Sequence, residues 1–589
     1  MLTRQNQGIS MRRMRTLPFA ACAALCACGG GGGGVNSTPT PIGSTPTPTP
    51  TPTPAATNTT LNDLRASQTF TNDAAALNLT LDRTTSTTIN SSAAPGGLTV
   101  SYDANTASYS LAMSNYSQTF APADIKSSDA DQAQYSKTDG TTRDYLTLVK
   151  TPYSSNNVTQ YVRLGYWQRN TSTDTQQNTL FGTFTYGLDT AAAAVPRSGT
   201  ASFAIDVFGL STFPGHEARS FQGSGNFSTD FAVGVFSARA SLDERELVSG
   251  AGTTGGGIEF TGAGHLSSNG SFGGNMLYGS TNGALGGTMS GRFYGPIAQE
   301  LGASFTGSKD GATVAGSFTG RLDSSTQPAN LTLTNLTQPQ LFYTQFGNGL
   351  VGQLNYQNSE TFTYATATSD LYGGQFTIND KVASANPNFT TYRKTFSSTY
   401  DSQDVTLELY KPGAGNAELA LTYASFGHWA TTVPYGTGRR PVNQYFAYGL
   451  ETPARLLSGK TGTGHYEGVV YGSGSNSQSG AAYAVTGTSQ FDVNFTSQSL
   501  SGALRMTGSS TNGGTGIDFG KFDFAGKLAA YTANSAFTLT QAGQSVGQME
   551  TRFFGPDGEE IAGPFSANMP QGSAGAGTSI SGVAAAKRQ

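Results

Sequence analysis

Four histidines, His216, His265, His428 and His465, are the residues of this sequence best suited to ligate a metal or carry a proton. They lie far apart and form no i, i+2 or i, i+4 pair. Haem or metal binding through some combination of them is therefore an alternative reading without a motif behind it. Glu300 and Glu560 each stand four places after a proline, in "GRFYGPIAQELGASFTG" (Gly291 to Gly307) and "TRFFGPDGEEIAGPFSA" (Thr551 to Ala567). General acid–base chemistry on a bond needs a partner group, and neither glutamate has a second acid repeated at fixed spacing. A turn-capping or buried ion-pair role is expected for both. "SGKTG" (Ser458 to Gly462) invites comparison with a phosphate loop, but the glycine required five residues before the Gly-Lys step is Ala454. It reads as a turn entering a strand. No G-x-S-x-G elbow occurs. The sequence assigns no catalytic residue, no metal site and no cofactor, and the chain is not read as an enzyme.

The remaining reactive side chains, Cys22, Cys26 and Cys28, all lie at the front. "MRRMR" (Met11 to Arg15) is a basic leader and "TLPFAACAALCA" a short apolar run ending in small residues. Together they read as a signal peptide over residues 1–27, with Met11 as a candidate true start, and not as a membrane span. Leu25-Cys26-Ala27-Cys28 resembles the cleavage site of bacterial lipoproteins, which implies Cys28 as the acylated residue and membrane lipid as a partner. Gly29 after it favours the outer membrane. Each buried methylene of an acyl chain adds about 0.8 kcal/mol to such an anchor. With the leader removed, the chain loses four arginines and no acids. Its 33 basic residues fall to 29 against 37 acids, a net charge of −8 that argues against nucleic acid as partner. No cysteine would remain for a disulfide. Residues 28–60, a glycine run followed by repeated Thr-Pro, read as a semi-rigid polyproline tether.

The elements beyond residue 60 read as strands. The chain holds 76 glycines, 11 % aromatic and only 12 % charged residues, and it lacks Leu/Ala/Glu/Lys runs at helical spacing. "ASFAIDVF" and "SGNFSTDF" place apolar residues at every second position, and Asn-Gly steps such as Asn282-Gly283 close hairpins. The pattern also repeats. "YVRLGYW" (Tyr161 to Trp167) aligns with "TYASFGHW" (Thr422 to Trp429), which hold the only two tryptophans. "FTYGLDT" (Phe184 to Thr190) aligns with "FAYGLET" (Phe446 to Thr452), and the two GP motifs fall in the same order. The chain is a tandem duplication of a unit of about 260 residues. Trp167, Trp429, Tyr186 and Tyr448, kept in both copies, are expected in the core. Many antiparallel strands with no helix to cover an edge suggest closed barrels. The strands read as shorter and more polar than a transmembrane barrel requires.

A lipoprotein-type cysteine, a glycine run, a low-complexity tether and two lobes each carrying F-[YF]-G-P-x-x-x-E-[LI]-x-G-x-F resemble transferrin-binding protein B. The last residues, "GVAAAKRQ" (Gly582 to Gln589), resemble that family's terminal barrel strand. The resemblance implies an all-β protein of two tandem lobes, each a handle domain built on a small antiparallel sheet followed by an eight-stranded antiparallel barrel. The handles would span 61–180 and 326–440, and the barrels 181–325 and 441–589. It further implies an outer-membrane surface lipoprotein for nutrient, most naturally iron, acquisition. Such a protein binds an iron-carrier protein or other solute and hands it to a TonB-dependent receptor. A surface adhesin or structural envelope lipoprotein without a solute is the alternative from another class. The chain departs from the family in having no cysteine for disulfides in the second lobe and in showing short interstrand loops of low charge.

Overall fold

The computed structural model describes residues 57–155, 157–346, 351–366, 371–399, 401–529 and 534–589. The signal peptide, Cys28 and nearly all of the tether lie outside the described residues. The rest is antiparallel β-structure in two lobes of the same construction.

In the first lobe a ten-stranded handle sheet is built around Gln68–Asp82, which pairs with Gln176–Gly187 along nearly its whole length, Thr71↔Gly187 to Asp82↔Gln176. The strands Tyr116–Phe120 and Ile125–Ser128 form the sheet's two ends, yet a single 3₁₀ turn, Pro122–Asp124, joins them. The sheet therefore curls until its edges meet. The second handle repeats the device in a nine-stranded sheet, where Ile378–Asp380 joins Gly374–Thr377 to Lys381–Val382. The turns even share chemistry. Asp124 Oδ2 accepts the Ala121 N–H at 2.9 Å and pairs with Lys137 at 3.7 Å. Asp380 Oδ2 accepts the Thr377 N–H at 2.8 Å and pairs with Lys394 at 3.1 Å. The last handle strands, Gln176–Gly187 and Gly438–Gly449, run past the boundaries at 180 and 440 expected from sequence.

Each handle leads into a closed eight-stranded barrel, Thr200–Leu322 and Thr463–Arg588, in which the first strand pairs with the last. Closure gives every barrel strand a neighbour on both sides, although among the described residues Ile517–Lys527 meets Asn534–Gln541 only at Asp523↔Thr540. Barrel strands run from 8 residues (Asn534–Gln541) to 15 (Gly252–Leu266), so the expectation of short strands is wrong. What distinguishes these barrels from transmembrane ones is which way their faces point. Along Val235–Glu246, Phe236, Ala238, Ala240 and Leu242 are buried while Arg239, Ser241, Asp243 and Arg245 face out. Along Ala482–Asn494, Val485, Phe491 and Val493 are inside and Thr486, Thr488, Gln490 and Asp492 outside. A lipid-facing barrel would carry the reverse. Both interiors are filled, the first by Phe203, Phe221, Phe227, Phe260, Phe305 and Phe318 among others, the second by Phe491, Phe522, Phe524, Phe537 and Phe565. Among the described residues no helix is long and apolar enough to cross a membrane.

The lobes touch. The helix Ala454–Gly459 lays Leu456 against Ala263 and Leu277 on the outer wall of the first barrel. Asn335, on the connection between lobes, donates to Asp230 Oδ2 at 3.0 Å.

Candidate binding surface

The two glutamates singled out by the sequence hold each handle on its barrel. Glu300 opens the seventh strand of the first barrel and is almost fully buried. Its Oε1 accepts the Gln160 N–H at 2.8 Å, and its Oε2 accepts the N–H groups of Tyr161 at 2.7 Å and Val162 at 3.1 Å. Glu560 accepts the N–H groups of Thr422, Tyr423 and Ala424 at 2.7, 2.9 and 2.7 Å. One carboxylate thus satisfies three consecutive backbone donors at the start of the handle strand bearing the tryptophan. Burial pushes both carboxyls above the usual glutamate range, and the three N–H bonds oppose that rise. Neither has a free oxygen aimed at a substrate position. Their role is structural, as the sequence suggested.

The Gly-Pro step shapes the loop of this clasp. Gly295 (φ 84°) and Gly555 (φ 89°) are left-handed, and a Cβ there would strike the rings of Tyr161 and Tyr423. Thr190 and Thr452 each donate a hydroxyl to the glycine carbonyl at 2.6 Å. Phe293 and Phe553 beside them are buried, as are Trp167, Trp429, Tyr186 and Tyr448. The arginine that begins the motif also crosses to the handle, but to different partners. Arg292 meets Asp73 with Nε–Oδ2 at 2.8 Å, whereas Arg552 takes Gln345 Oε1 at 2.9 Å and Glu451 at 2.5 Å.

The histidines fall in four separate places. His216 lies in a barrel loop, where its carbonyl accepts the Thr88 N–H. His265 contacts Glu559 of the other lobe at 2.6 Å, and this carboxylate raises its pKa above 6.5. His428 sits between Glu408 and Asn443, and His465 beside Asp492. Among the described residues no group of three His, Cys, Asp or Glu side chains could hold a metal ion. "SGKTG" is the end of the short helix, and Lys460 is drawn into an ion pair with Asp557 and a bond to its carbonyl at 2.7 Å.

With the residues shared by the two copies accounted for structurally, open surface chemistry lies in a groove of about 470 Å³ on the second barrel, beside His465 and Asp492, and in one groove on each handle. The first handle groove, about 430 Å³, is lined by Asn78, Thr80, Asn90, Ser92, Thr171 and Asn178, with Tyr116 and Arg169 at one end. The register explains the row: Thr80 faces Asn90 on one side and Asn178 on the other, and Asn178 faces Thr171. Outward positions of successive strands thus make a ladder of amides and hydroxyls. Tyr116, 47 % exposed, lies under the Arg169 guanidinium at 4.7 Å, and Arg169 is held by buried Asp144 at 3.4 Å. The second groove, about 510 Å³, is lined by Tyr372, Asp401, Val433, Pro434, Tyr435 and Arg440. Counting from the paired tryptophans and from Phe184 and Phe446, Val433 stands where the first copy has Thr171, and Arg440 where it has Asn178.

Sequence reasoning named none of these handle-groove residues. The signal was present as the place where the copies diverge, "QRNTSTDTQQNT" after Trp167 against "ATTVPYGTGRRPVNQ" after Trp429.

Residues 459–588 match the family model of the C-lobe and N-lobe beta barrels of Tf-binding protein B. The chain resembles transferrin-binding protein B. Among solved structures, a double mutant of transferrin-binding protein B from Haemophilus parasuis Hp5 is 15 % identical, with a TM-score of 0.27, over 73 % of this chain and 84 % of that one. The isotype 1 protein from Neisseria meningitidis is 16 % identical with a TM-score of 0.22, over 77 % and 85 %. The N-lobe domain of lactoferrin-binding protein B from Moraxella bovis is 14 % identical with a TM-score of 0.19, over 30 % and 80 %. No curated protein matches the chain. These relatives are named for binding and not for catalysis.

Proposed function

We propose that the protein is an outer-membrane surface lipoprotein, anchored through acylated Cys28, that captures an iron-carrier protein and passes it to a TonB-dependent receptor. The observation that carries this reading is the packing of the barrels. Their interiors are occupied by phenylalanines, so a ligand meets the protein on its outer surfaces, where the handle grooves present polar and aromatic side chains. The tether before residue 61 suits a module that reaches away from the membrane, and the resemblance to proteins named for binding transferrin and lactoferrin points to the ligand class.

The test is surface plasmon resonance of the purified lipoprotein against iron-loaded transferrin and lactoferrin, beside growth of a deletion strain on each as sole iron source. Saturable binding together with a growth defect supports the proposal. Normal growth on every iron source, with the protein on intact cells untouched by external protease, would overturn it.

A further inference from the structure

The hairpin that bears the second groove is held differently from its counterpart. In the first handle Val162–Ser172 and Gln176–Gly187 are embedded. The former pairs with Thr142–Val149 from Thr142↔Thr171 to Leu148↔Gly165, and the latter pairs with Gln68–Asp82 almost end to end. In the second handle the equivalent strands are Ala424–Tyr435 and Gly438–Gly449. Among the described residues, the first pairs outward only from Thr406↔Ala430 to Leu409↔Gly427, and the second only at Gln345↔Ala447 and Phe346↔Phe446. Beyond these pairs the hairpin end Thr431–Val442, here called the finger, is held by side chains: Val433 is buried in the handle core with Val442 packed against it, and the Thr431 hydroxyl donates to the Asp404 carbonyl at 2.9 Å, so that only its turn around Tyr435 stands out into solvent. Further side-chain bonds tie its turn end to the neighbouring hairpin. Arg439 reaches Asp401 with both terminal nitrogens, at 2.8 and 3.3 Å, and also bonds the Ser402 and Thr432 carbonyls. Pro434 and Pro441 remove donors from its edges, which discourages nonspecific strand pairing.

At the tip stands Tyr435, 71 % exposed, with the Arg440 guanidinium 5.9 Å from its ring centre. Arg440 has no carboxylate within ion-pair distance among the described residues, while Arg439 answers the nearby Asp401. Two adjacent arginines beside an exposed turn stand out in a chain of net charge −4, or −8 once the expected leader is removed. An acidic partner is repelled by most of the molecule and drawn to this point. Tyrosine and arginine are also the side chains that most often anchor protein interfaces, because they bury large area at low entropic cost.

We propose that the finger Thr431–Val442 is the docking element for an acidic segment of a protein partner, with Tyr435 packing against the segment and Arg440 receiving a carboxylate. This goes beyond iron-carrier capture and does not depend on it, since it names a surface and a partner chemistry whatever cargo is carried.

The test uses the full lipoprotein in detergent, with fluorescent poly-L-glutamate as probe and with polyphosphate and phosphatidylglycerol vesicles as competing anions. Poly-L-glutamate is expected to bind the natural protein, more weakly as salt rises, and at least tenfold more weakly to the Tyr435→Ala/Arg440→Glu variant. The Thr173→Ala change at the corresponding tip of the first handle leaves binding unchanged. Should the double variant melt early, Arg440→Gln alone gives the reading. The proposal is overturned if poly-L-glutamate fails to bind, if the finger variants bind it as tightly, or if polyphosphate or vesicles bind equally well through the same residues. A photo-crosslinker at position 435 on cells completes the test: a crosslinked peptide rich in Asp and Glu supports the proposal, and a crosslink to lipid or to a basic peptide overturns it.

Discussion

The two handles show what a duplication keeps and what it releases. Both retain the carboxylate that binds three backbone N–H groups, the left-handed glycine under a tyrosine ring, the threonine bonded to that glycine's carbonyl, and the 3₁₀ turn with its Asp–Lys pair. The first three satisfy buried or left-handed backbone, where few side-chain types fit, and the Asp of the 3₁₀ turn caps its backbone. The outward faces of the same strands have no such constraint. One became a row of amides and hydroxyls and the other a finger with tyrosine, prolines and arginines. The tryptophans mark the border between these regimes. Trp167 donates its indole N–H to Asp144 at 2.9 Å, whereas Val405 takes the corresponding place beside Trp429, whose indole nitrogen has no partner among the described residues. The ring volume is kept in both lobes, and the polar contact in one.

The GP turns differ in a similar way. In the second lobe Asp557 draws together Lys460, Arg588 at 3.0 Å and Asn275 of the first barrel at 2.6 Å, so the turn also docks one lobe on the other. The first lobe has Ile297 there, 70 % exposed.

The comparison breaks most severely at the clasp. Glu300→Ala or Glu560→Ala leaves three backbone N–H groups without their acceptor, one of them buried in the first lobe and two in the second, and should cost about 2–4 kcal/mol, seen in thermal melts as early loss of the lobe that carries the change. If either change melts both lobes together, the lobes do not behave as separate units. Asp144→Val, which gives the first handle the second one's residue, should cost about 1–3 kcal/mol through the unpaired Trp167 N–H, measured by urea unfolding. The contact between lobes should depend on pH. The His265 pKa is raised by Glu559, so the stabilisation is fully present below about 6.5 and is lost as pH rises through the raised value. Asp557 adds to the rise and Lys460 opposes it. His265→Ala should remove that pH dependence from melting curves recorded between pH 5.5 and 8.5. The smallest effect is expected at Ile297, where a serine should shift stability by no more than about 0.5 kcal/mol.

Much of the fold was legible because it is written in periodicity. Alternating apolar residues gave strands, the absence of helical spacing gave an all-β chain, and the repeated motifs gave two lobes. The role of Glu300 and Glu560 was legible only as a category, since a lone acid within a repeated turn says "structural" without naming the three donors. Those donors lie 136 to 140 residues away in the chain, beyond any local pattern. The grooves were less accessible still, because Tyr435, Arg440, Tyr116 and Arg169 look like ordinary polar-rich hairpin residues until the strands beside them are known. Strand length was misread because glycine-rich alternation hides how far a strand continues.

The sequence by itself determined strand character, the duplication and the acidic balance, since each depends on residue type and local spacing. Tertiary structure decided which face of each barrel is apolar, that the GP glutamates bind handle to barrel, and that one hairpin is paired along its length while the end of its copy is held by side chains. Those outcomes depend on how far each strand finds a neighbour, and strand neighbours in an antiparallel sheet are set by contacts between distant parts of the chain.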